Sequence, residues 1–278
     1  MDVTLRDPSP TGPQAASGGR SAASVWHDLE CGLYRADLPL WRELAEQARI
    51  DAPTARILDV GAGTGRVALD LARAGHAVTA LDLDAELLSA LSERAAHANV
   101  QVQTACADAR SFALDEQGFA LCIAPMQTIQ LLGSSAARVA FMARAREHLL
   151  PGAPLACAIV TDLESFDRAA GDVSPSPEVA TIDGVEYVSR AISVRLSRHT
   201  IRIERERSTV QRDRSSRVLP PTRVVHTPET ERDVIDLDRV SARGLQREGR
   251  RAGLSYVGVR EIPATDDHVG SEVVILRA

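Results

Sequence analysis

The chain has 278 residues, of which 44% are hydrophobic and 25% charged, so it is long enough and apolar enough to bury a sizeable core. It contains no lysine, which excludes a pyridoxal Schiff base and the phosphate-binding lysine of a P-loop. Its formal net charge of -6 argues against a general nucleic-acid binder, which would usually be basic.

The cysteines and the hydropathy indicate the compartment. Cys31, Cys106, Cys122 and Cys157 have no CxxC spacing, so the sequence contains neither a zinc knuckle nor a redox motif, and we expect no bound metal. Cys122 and Cys157 lie in apolar runs, which is typical of buried thiols in a reducing compartment. No apolar stretch reaches the ~18 residues of a membrane span, and no signal-peptide h-region is present. We therefore expect a cytoplasmic protein without a membrane partner.

The sequence pattern over residues 1–175 predicts a tail, a helical lid and then alternating strands and helices. Residues 1–24 are rich in Ser, Gly, Ala and Pro, which predicts a disordered tail. Helical spacing of apolar residues then predicts a helical lid over 25–50. Over 51–175, β-rich runs alternate with helical stretches, as is typical of a parallel, doubly wound sheet. The strands are predicted at 56–60, 77–81, 100–105, 119–124 and 154–160, and the helices at 64–74, 84–96 and 136–150.

The pattern changes after about residue 175. A hairpin turn signal at Asp183-Gly184 and a period-two alternation of apolar residues predict a small antiparallel β insert over 176–232. Residues 233–278 are expected to supply a helix and the last two strands of the core. The predicted fold is therefore α/β, a doubly wound, seven-stranded mixed sheet with six parallel strands and the last one antiparallel.

The strongest motif is the glycine loop that follows Asp59, with glycines at 61, 63 and 65 between a predicted strand and a predicted helix. Glycines let a backbone approach a ligand closely, and a helix start offers free N–H groups to ligand oxygens. The dinucleotide fingerprint needs glycines spaced two and then three residues apart, whereas the third position here is Arg66. Asp59 would repel a pyrophosphate, but it suits a ligand with a cationic amine and a sulfonium.

This stretch resembles the first motif of class I S-adenosylmethionine (SAM)-dependent methyltransferases, and the resemblance continues along most of the chain. It implies a Rossmann-like methyltransferase fold in which Asp82 meets the ribose hydroxyls, Leu83 and Leu87 flank the adenine, and Asp108 meets the exocyclic amine. Ala120 departs from the family, which often has an aspartate there, usually with a structural role. The implied cofactor-binding residues are Asp59, Gly61, Ala62, Gly63, Thr64, Gly65, Asp82, Leu83, Leu87, Asp108, Ala109, Ala124, Pro125 and Met126.

The resemblance implies transfer of a methyl group from SAM to an acceptor by in-line SN2 displacement, which depends largely on proximity and orientation. A hydroxyl acceptor often needs a base, whereas a neutral amine does not. The order of lid, core and insert is similar to small-molecule N-methyltransferases that act on glycine or aminosugars. We therefore expect a small-molecule acceptor and slightly favour nitrogen over oxygen.

The catalytic residues are not determined by the sequence. His226, His27 and Tyr34 are the candidates, and Trp26 and Tyr34 are also candidates for the pocket wall, although we favour packing of the lid helix as the explanation for these two. Between Arg195 and Arg223 there are nine arginines and three acidic residues. They form either a cationic rim for an anionic substrate or a solvated strand face, and we favour the solvated face.

Three other functions stay open. A non-catalytic SAM-binding or regulatory protein is compatible with the sequence, since methyltransferases need no universal catalytic side chain. An NAD-dependent oxidoreductase conflicts with the glycine spacing. A tRNA methyltransferase would need aromatic residues beside the arginines, and the chain is acidic overall. The sequence leaves the oligomeric state open, with a homodimer as one option.

Overall fold

The structure is a computed structural model that describes residues 20–211, 229–265 and 268–278. Within these ranges the helices are α1 (Ala22–Cys31), α2 (Leu38–Asp51), α3 (Arg66–Arg73), α4 (Ala85–His97), α5 (Ser135–His148) and α6 (Ala242–Arg251). The strands are β1 (Ile57–Val60), β2 (Val78–Asp82), β3 (Val102–Cys106), β4 (Leu121–Ala124), β5 (Pro154–Ile159), β6 (Phe166–Asp167), β7 (Glu178–Ile182), β8 (Val185–Leu196), β9 (Thr200–Gln211), β10 (Glu229–Asp238), β11 (Ser255–Ile262) and β12 (Ser271–Arg277).

The N-terminal region forms two helices rather than one continuous helical stretch. Helix α1 begins at Ala22, because the side chain of Ser21 accepts a hydrogen bond from the N–H of Ser24 and caps the helix. The structure therefore places 22–24, which we predicted as part of a disordered tail, in a helix, and residues 1–19 of that prediction lie outside the described residues. Helix α1 ends at Gly32, and α2 starts with a proline in its first turn, which suits a helix start.

The main sheet has seven strands in the order β11-β12-β5-β4-β1-β2-β3. Strand β12 runs antiparallel to both of its neighbours, whereas the remaining pairings are parallel. This arrangement confirms the predicted fold class. The chain leaves β1 towards β2 and β3 and later returns to β4 on the other side of β1, so the strand order reverses there. In open α/β sheets, ligands bind at the carboxyl ends of the strands at such a reversal.

The core lies on both faces of this sheet. Strands β1 and β4 are buried along their whole length, as expected for central strands that are covered on both sides. One apolar cluster joins the sheet to α2, α3 and α4, and another joins it to α5 and α6. None of the helices in the described ranges is both long and apolar enough to cross a membrane.

The insert is a separate antiparallel sheet in the order β10-β9-β8-β6, with β7 also paired to β8. It spans 166–238 and is therefore longer than the 176–232 that we assigned to it; its stretch 212–228 lies outside the described residues. Trp26 and Leu29 of α1 pack with Tyr187 of β8 in a small apolar cluster. Helix α1 is thus held between the main sheet and the insert.

A buried glutamine joins the insert to the core. Gln130 has no exposed surface, and its amide donates to the carbonyls of Val160 (3.1 Å) and Asp238 (3.0 Å) and accepts from the N–H of Val160 (2.8 Å). Next to it, Arg138 of α5 forms ion pairs with Asp238 and Glu248. These contacts fix both ends of the insert, because it begins just after Val160 and ends at Asp238.

Replacing Gln130 with leucine removes all three of these hydrogen bonds and leaves buried polar atoms of the main chain without them. We expect Gln130→Leu to lower the free energy of unfolding by about 2–4 kcal/mol, measured by urea denaturation. The control is Gln117→Leu, because Gln117 is exposed and makes a single hydrogen bond to the carbonyl of Leu114. Equal losses in the two variants would contradict this role.

Candidate cofactor site

The glycine loop, residues 61–65, connects β1 to α3. Gly61, Gly63 and Gly65 have φ angles of 71°, 54° and 91°, in the left-handed region that favours glycine. A Cβ on Gly61 would lie 2.5 Å from the side chain of Thr128, and one on Gly63 would lie 2.3 Å from Nε2 of His27. The loop therefore requires glycine for its conformation and also for its close neighbours.

A cavity of about 590 Å³ opens beside this loop at the carboxyl ends of the strands. Its size is in the range of small-molecule sites. Ten residues that the sequence predicts for the cofactor line it: Asp59, Gly61, Ala62, Asp82, Leu83, Leu87, Asp108, Ala109, Pro125 and Met126. The structure thus brings together elements that lie far apart in the chain.

The other four predicted cofactor residues do not line the cavity. Gly63 and Thr64 contact α1, Gly65 packs against Leu91 of α4, and Ala124 is buried at the end of β4. These four residues shape the loop and the floor of the site.

Asp59 is the most unusual group of the cavity. Its side chain is fully buried, and among the described residues neither carboxylate oxygen has a partner at normal hydrogen-bond geometry, although the N–H of Ala68 lies near enough to favour the ionised form. Burial raises the pKa of Asp59 to about 7, against the opposing effect of the Arg66 cation. A buried charge without a partner is costly, so this carboxylate suits a ligand that brings positive charge.

Arg66 stands where a dinucleotide-binding loop has its third glycine. Its guanidinium forms a bidentate ion pair with Asp37 (2.5 and 2.7 Å) and also donates to the carbonyl of Tyr34 (3.0 Å). Both partners of the ion pair are buried, with 6% and 1% of their side-chain surface exposed. The position is therefore filled by a long side chain with a structural role, as the glycine spacing indicated.

Asp82 lies at the end of β2, and its carboxylate is held in a fixed orientation. One oxygen accepts the N–H of Gly63 (2.8 Å) and the other accepts the N–H of Asp84 (3.0 Å). Each oxygen retains a lone pair, and the residue lines the cavity. Such a carboxylate can accept hydrogen bonds from two adjacent hydroxyl groups.

The far end of the cavity combines a carboxylate with apolar surface. The Arg110 side chain, which donates to Asp108, lowers the pKa of Asp108 to about 2, so this group stays ionised at neutral pH. Leu83 has 69% of its surface exposed on the same wall. An exposed leucine beside a hydrogen-bond acceptor fits a flat heterocycle with an exocyclic amine.

Helix α1 and the insert form a further wall of the cavity. Trp26, His27 and Glu30 of α1 and Arg207 of β9 line the cavity. Glu30 accepts hydrogen bonds from Nε and Nη2 of Arg207 (both 2.8 Å), and the Arg207 guanidinium lies over the Trp26 ring at 5.5 Å. Burial lowers the pKa of His27 below its usual value, against the opposing effect of the neighbouring Asp28.

The arginine-rich strand is not one solvated face, so our interpretation is wrong in part. Arg202 is exposed and pairs with Asp236 at the surface, as expected. Arg207 points to the other side of β9 and contacts α1 and the cavity. Successive residues of a strand face opposite sides of the sheet. The packing of α1 on the insert buries one of these two sides.

The remaining catalytic candidates lie elsewhere. Tyr34 is buried outside the cavity, where its ring packs edge-on against His268 at 4.9 Å and contacts the Arg66 guanidinium. His226 lies outside the described residues. Of the two candidates within the described residues, His27 lines the cavity and Tyr34 does not.

The sequence analysis missed several residues of the cavity. Glu30 lies one helical turn after Trp26 and His27, so helical spacing could have indicated it. Thr128 and Ile235 reach the site through long-range packing, which left no local signal. Met126, which the sequence did predict, has a φ of 53°, and such angles are uncommon for non-glycine residues and cluster at functional sites.

The fold and the site together define the class of this protein. A seven-stranded sheet of this order, a glycine loop after β1 and a carboxylate at the end of β2 are the features of class I SAM-dependent methyltransferases. Residues 57–152 match a family model described as a methyltransferase domain. This match confirms the resemblance to methyltransferases for residues 57–152 of the chain.

Curated relatives match about half of the chain. The ubiquinone biosynthesis O-methyltransferase of Xanthomonas oryzae pv. oryzae (strain PXO99A) is 28% identical over 145 residues, which is 52% of this chain and 55% of the relative. That of Xanthomonas campestris pv. campestris (strain B100) is 29% identical over 146 residues, with the same coverage. The chain thus spans about half the length of the curated relatives that it matches.

Solved structures match over nearly the whole chain at low identity. The sugar N-methyltransferase KedS8 from Streptoalloteichus sp ATCC 53650 superposes with a TM-score of 0.66, 15% identity and 99% coverage of both chains. The amino pentose methyltransferase CalS10 from Micromonospora echinaspora gives a TM-score of 0.64 at 18% identity, covering 91% of this chain and 96% of the other. These likenesses show the fold.

Removal of the Asp82 carboxylate should weaken SAM binding. We expect Asp82→Ala to cost about 1–3 kcal/mol of binding free energy, because charge-assisted hydrogen bonds to the ribose are lost. Isothermal titration calorimetry with SAM measures this change, with Asp115→Ala as a control because Asp115 is exposed and lies outside the cavity. An unchanged affinity in Asp82→Ala would mean that the ribose assignment is wrong.

The pKa of Asp59 generates a prediction on stability. Because its pKa rises from 3.8 in an exposed carboxyl to about 7 in the folded protein, the folded state retains a proton that the unfolded state has lost. The stability of the wild type relative to Asp59→Asn should therefore fall as the pH rises from about 4 to about 7 and level off above that range. Thermal unfolding of both proteins between those limits tests this, and parallel pH curves would contradict it.

Proposed function

We propose that this protein transfers a methyl group from SAM to a small-molecule acceptor, and that the acceptor atom is nitrogen rather than oxygen. The observation that carries the proposal is the buried, unpaired carboxylate of Asp59 beneath the glycine loop, in one cavity with Asp82 and Asp108. Asp59 suits the cationic end of SAM, Asp82 its ribose, and Asp108 with Leu83 its adenine. Bound SAM would supply an electrophilic methyl group on a sulfonium.

The chain's own contribution is to enclose and orient the reactants. Helix α1 and the insert cover the cavity from the side opposite the sheet, with Trp26, Arg207 and Ile235 on that wall. The exclusion of water and the alignment of acceptor and methyl group supply much of the rate of such a displacement. The wall formed by α1 and the insert is the part of the site that would select the acceptor.

The titratable groups of the cavity support nitrogen as the acceptor atom. Glu30 is held by Arg207 and Ser189, and burial raises the pKa of the Cys31 thiol to about 11. His27 is kept neutral by burial, but its ring edge packs against Gly63. These described groups are engaged in structural contacts, and a neutral amine needs none of them as a base.

The relatives also favour nitrogen. The curated O-methyltransferases match only 52% of this chain, so they support an oxygen acceptor less than a match over the whole chain would. The structures named as sugar N-methyltransferase and amino pentose methyltransferase share the layout over at least 91% of this chain, including α1 and the insert. The aminosugars are therefore the first acceptors to test.

The test is methyl transfer from radiolabelled SAM to two acceptor panels of similar size, one of aminosugars and amino acids and one of catechols. We expect N-methylated products by mass spectrometry, at rates that rise with pH because the amine reacts as its free base. Asp82→Ala should lower kcat/KM for SAM by roughly 5–150-fold without changing the order of the acceptors. Methylation of catechols alone would refute nitrogen as the acceptor atom. SAM binding without turnover on either panel would favour a regulatory protein.

A further inference from the structure

Two consecutive residues of α1 contact two consecutive residues of the glycine loop. Asp28 accepts the hydroxyl hydrogen bond of Thr64 at 2.8 Å, and the ring of His27 lies where a Cβ on Gly63 would be, 2.3 Å from its Nε2 and 2.5 Å from its Cε1. Thr64 is buried, with 1% of its surface exposed. The loop is thus covered by α1 at its centre.

Helix α4 completes this contact. Arg94 forms an ion pair with Asp28, in which Nη1 donates to Oδ1 at 2.8 Å. The same Nη1 donates to the carbonyl of Thr64 at 3.3 Å. Both the side chain and the main chain of Thr64 are therefore fixed by a charged pair that joins two helices.

The directions of these hydrogen bonds determine the protonation of His27. A hydroxyl has one proton, and a carboxylate can only accept, so Thr64 donates to Asp28. Its oxygen, 3.3 Å from Nδ1 of His27, can then only accept. His27 therefore carries its proton on Nδ1, and burial, which lowers the pKa of the ring, leaves Nε2 unprotonated.

Gly63 is held from two sides. Its N–H donates to Asp82 at 2.8 Å, and its Cα side packs against the ring of His27. The Asp82 contact orients the loop towards the carboxylate assigned to the ribose, and the His27 and Thr64 contacts orient it towards α1. The conformation of the loop at Gly63 and Thr64 therefore depends on α1, whereas Leu83 and Asp108 line the cavity from the ends of other strands.

We propose that His27 and Asp28 are positioning residues that hold the glycine loop in the conformation that receives the amino-acid part of SAM. Helix α1 then controls the affinity for that part of the cofactor and has little influence on the nucleoside. This inference rests on the proposed function, because the loop and Asp59 are assigned to the amino-acid end there.

The experiment compares two ligands with the same nucleoside. S-adenosylhomocysteine has the amino-acid group, and 5′-methylthioadenosine lacks it. We expect Thr64→Val and Asp28→Asn to weaken the binding of S-adenosylhomocysteine by about tenfold, because one charge-assisted hydrogen bond is lost. The affinity for 5′-methylthioadenosine should change by less than about twofold on the same energy scale. Both are measured by calorimetry on the full chain.

Two further variants separate positioning from a general loss of structure. Thr64→Ser keeps the hydroxyl and should restore the affinity of the wild type. Glu43→Gln removes the carboxylate of a surface ion pair with Arg260, between α2 and β11. It should change the affinity for neither ligand. Thermal unfolding verifies that each variant is folded. If Asp28→Asn does not fold, the comparison of Thr64→Val with Thr64→Ser tests the inference.

The nitrogen NMR shifts of His27 give a readout that does not depend on any ligand. The wild type should show the proton on Nδ1, and Thr64→Val should show a mixture of tautomers. Equal losses for both ligands, or no loss for S-adenosylhomocysteine, would overturn the inference. Failure of the wild type to bind either ligand would instead overturn the proposed function, and the inference with it.

Discussion

The carboxylate of Asp59 is the group around which the rest of the site is arranged. It is buried at the end of β1 with both oxygens unpaired, and a parallel sheet covered on both faces offers it no water. Keeping such a group costs folding free energy, which the surrounding core offsets. A protein selected for stability alone would place an apolar residue there, so this conflict between local cost and global fold marks a functional position.

Helix α1 is the second constraint, because it is shared by both sides of the cavity. Asp28 connects it to the glycine loop and to Arg94, and two residues later Glu30 connects it to Arg207 of the insert. Gln130 fixes the two ends of the insert to the core. The walls of the cavity therefore depend on contacts between segments that lie 30 to 177 residues apart, and a change in α1 affects both the glycine loop and the insert.

The sequence predicted the parts of the structure that local rules govern. Glycine spacing and the alternation of strands and helices placed β1, α3 and the loop within two residues, because backbone sterics and burial act over a few positions. The sequence did not predict the burial of Arg207 against α1. Period-two alternation separates the two faces of a strand, but it does not indicate which face another element covers. The sequence also did not predict the contacts of Gly63 with His27 and of Gly61 with Thr128, which arise from long-range packing. The domain boundaries and the role of His226 stay predictions.

The same physics explains why the cofactor half of this protein can be recognised from sequence and the acceptor half cannot. A fixed cofactor demands particular residue types at fixed spacing, such as glycines in the loop and carboxylates at strand ends, and the family match covers 57–152, where these residues lie. The wall that we assign to the acceptor consists of side chains of α1 and β9, which carry no such common pattern. In that wall Glu30 and Arg207 form a pair with 7% and 18% of their side chains exposed. Loss of either partner would leave the other charge buried in a low dielectric, so we expect these two positions to change together rather than singly.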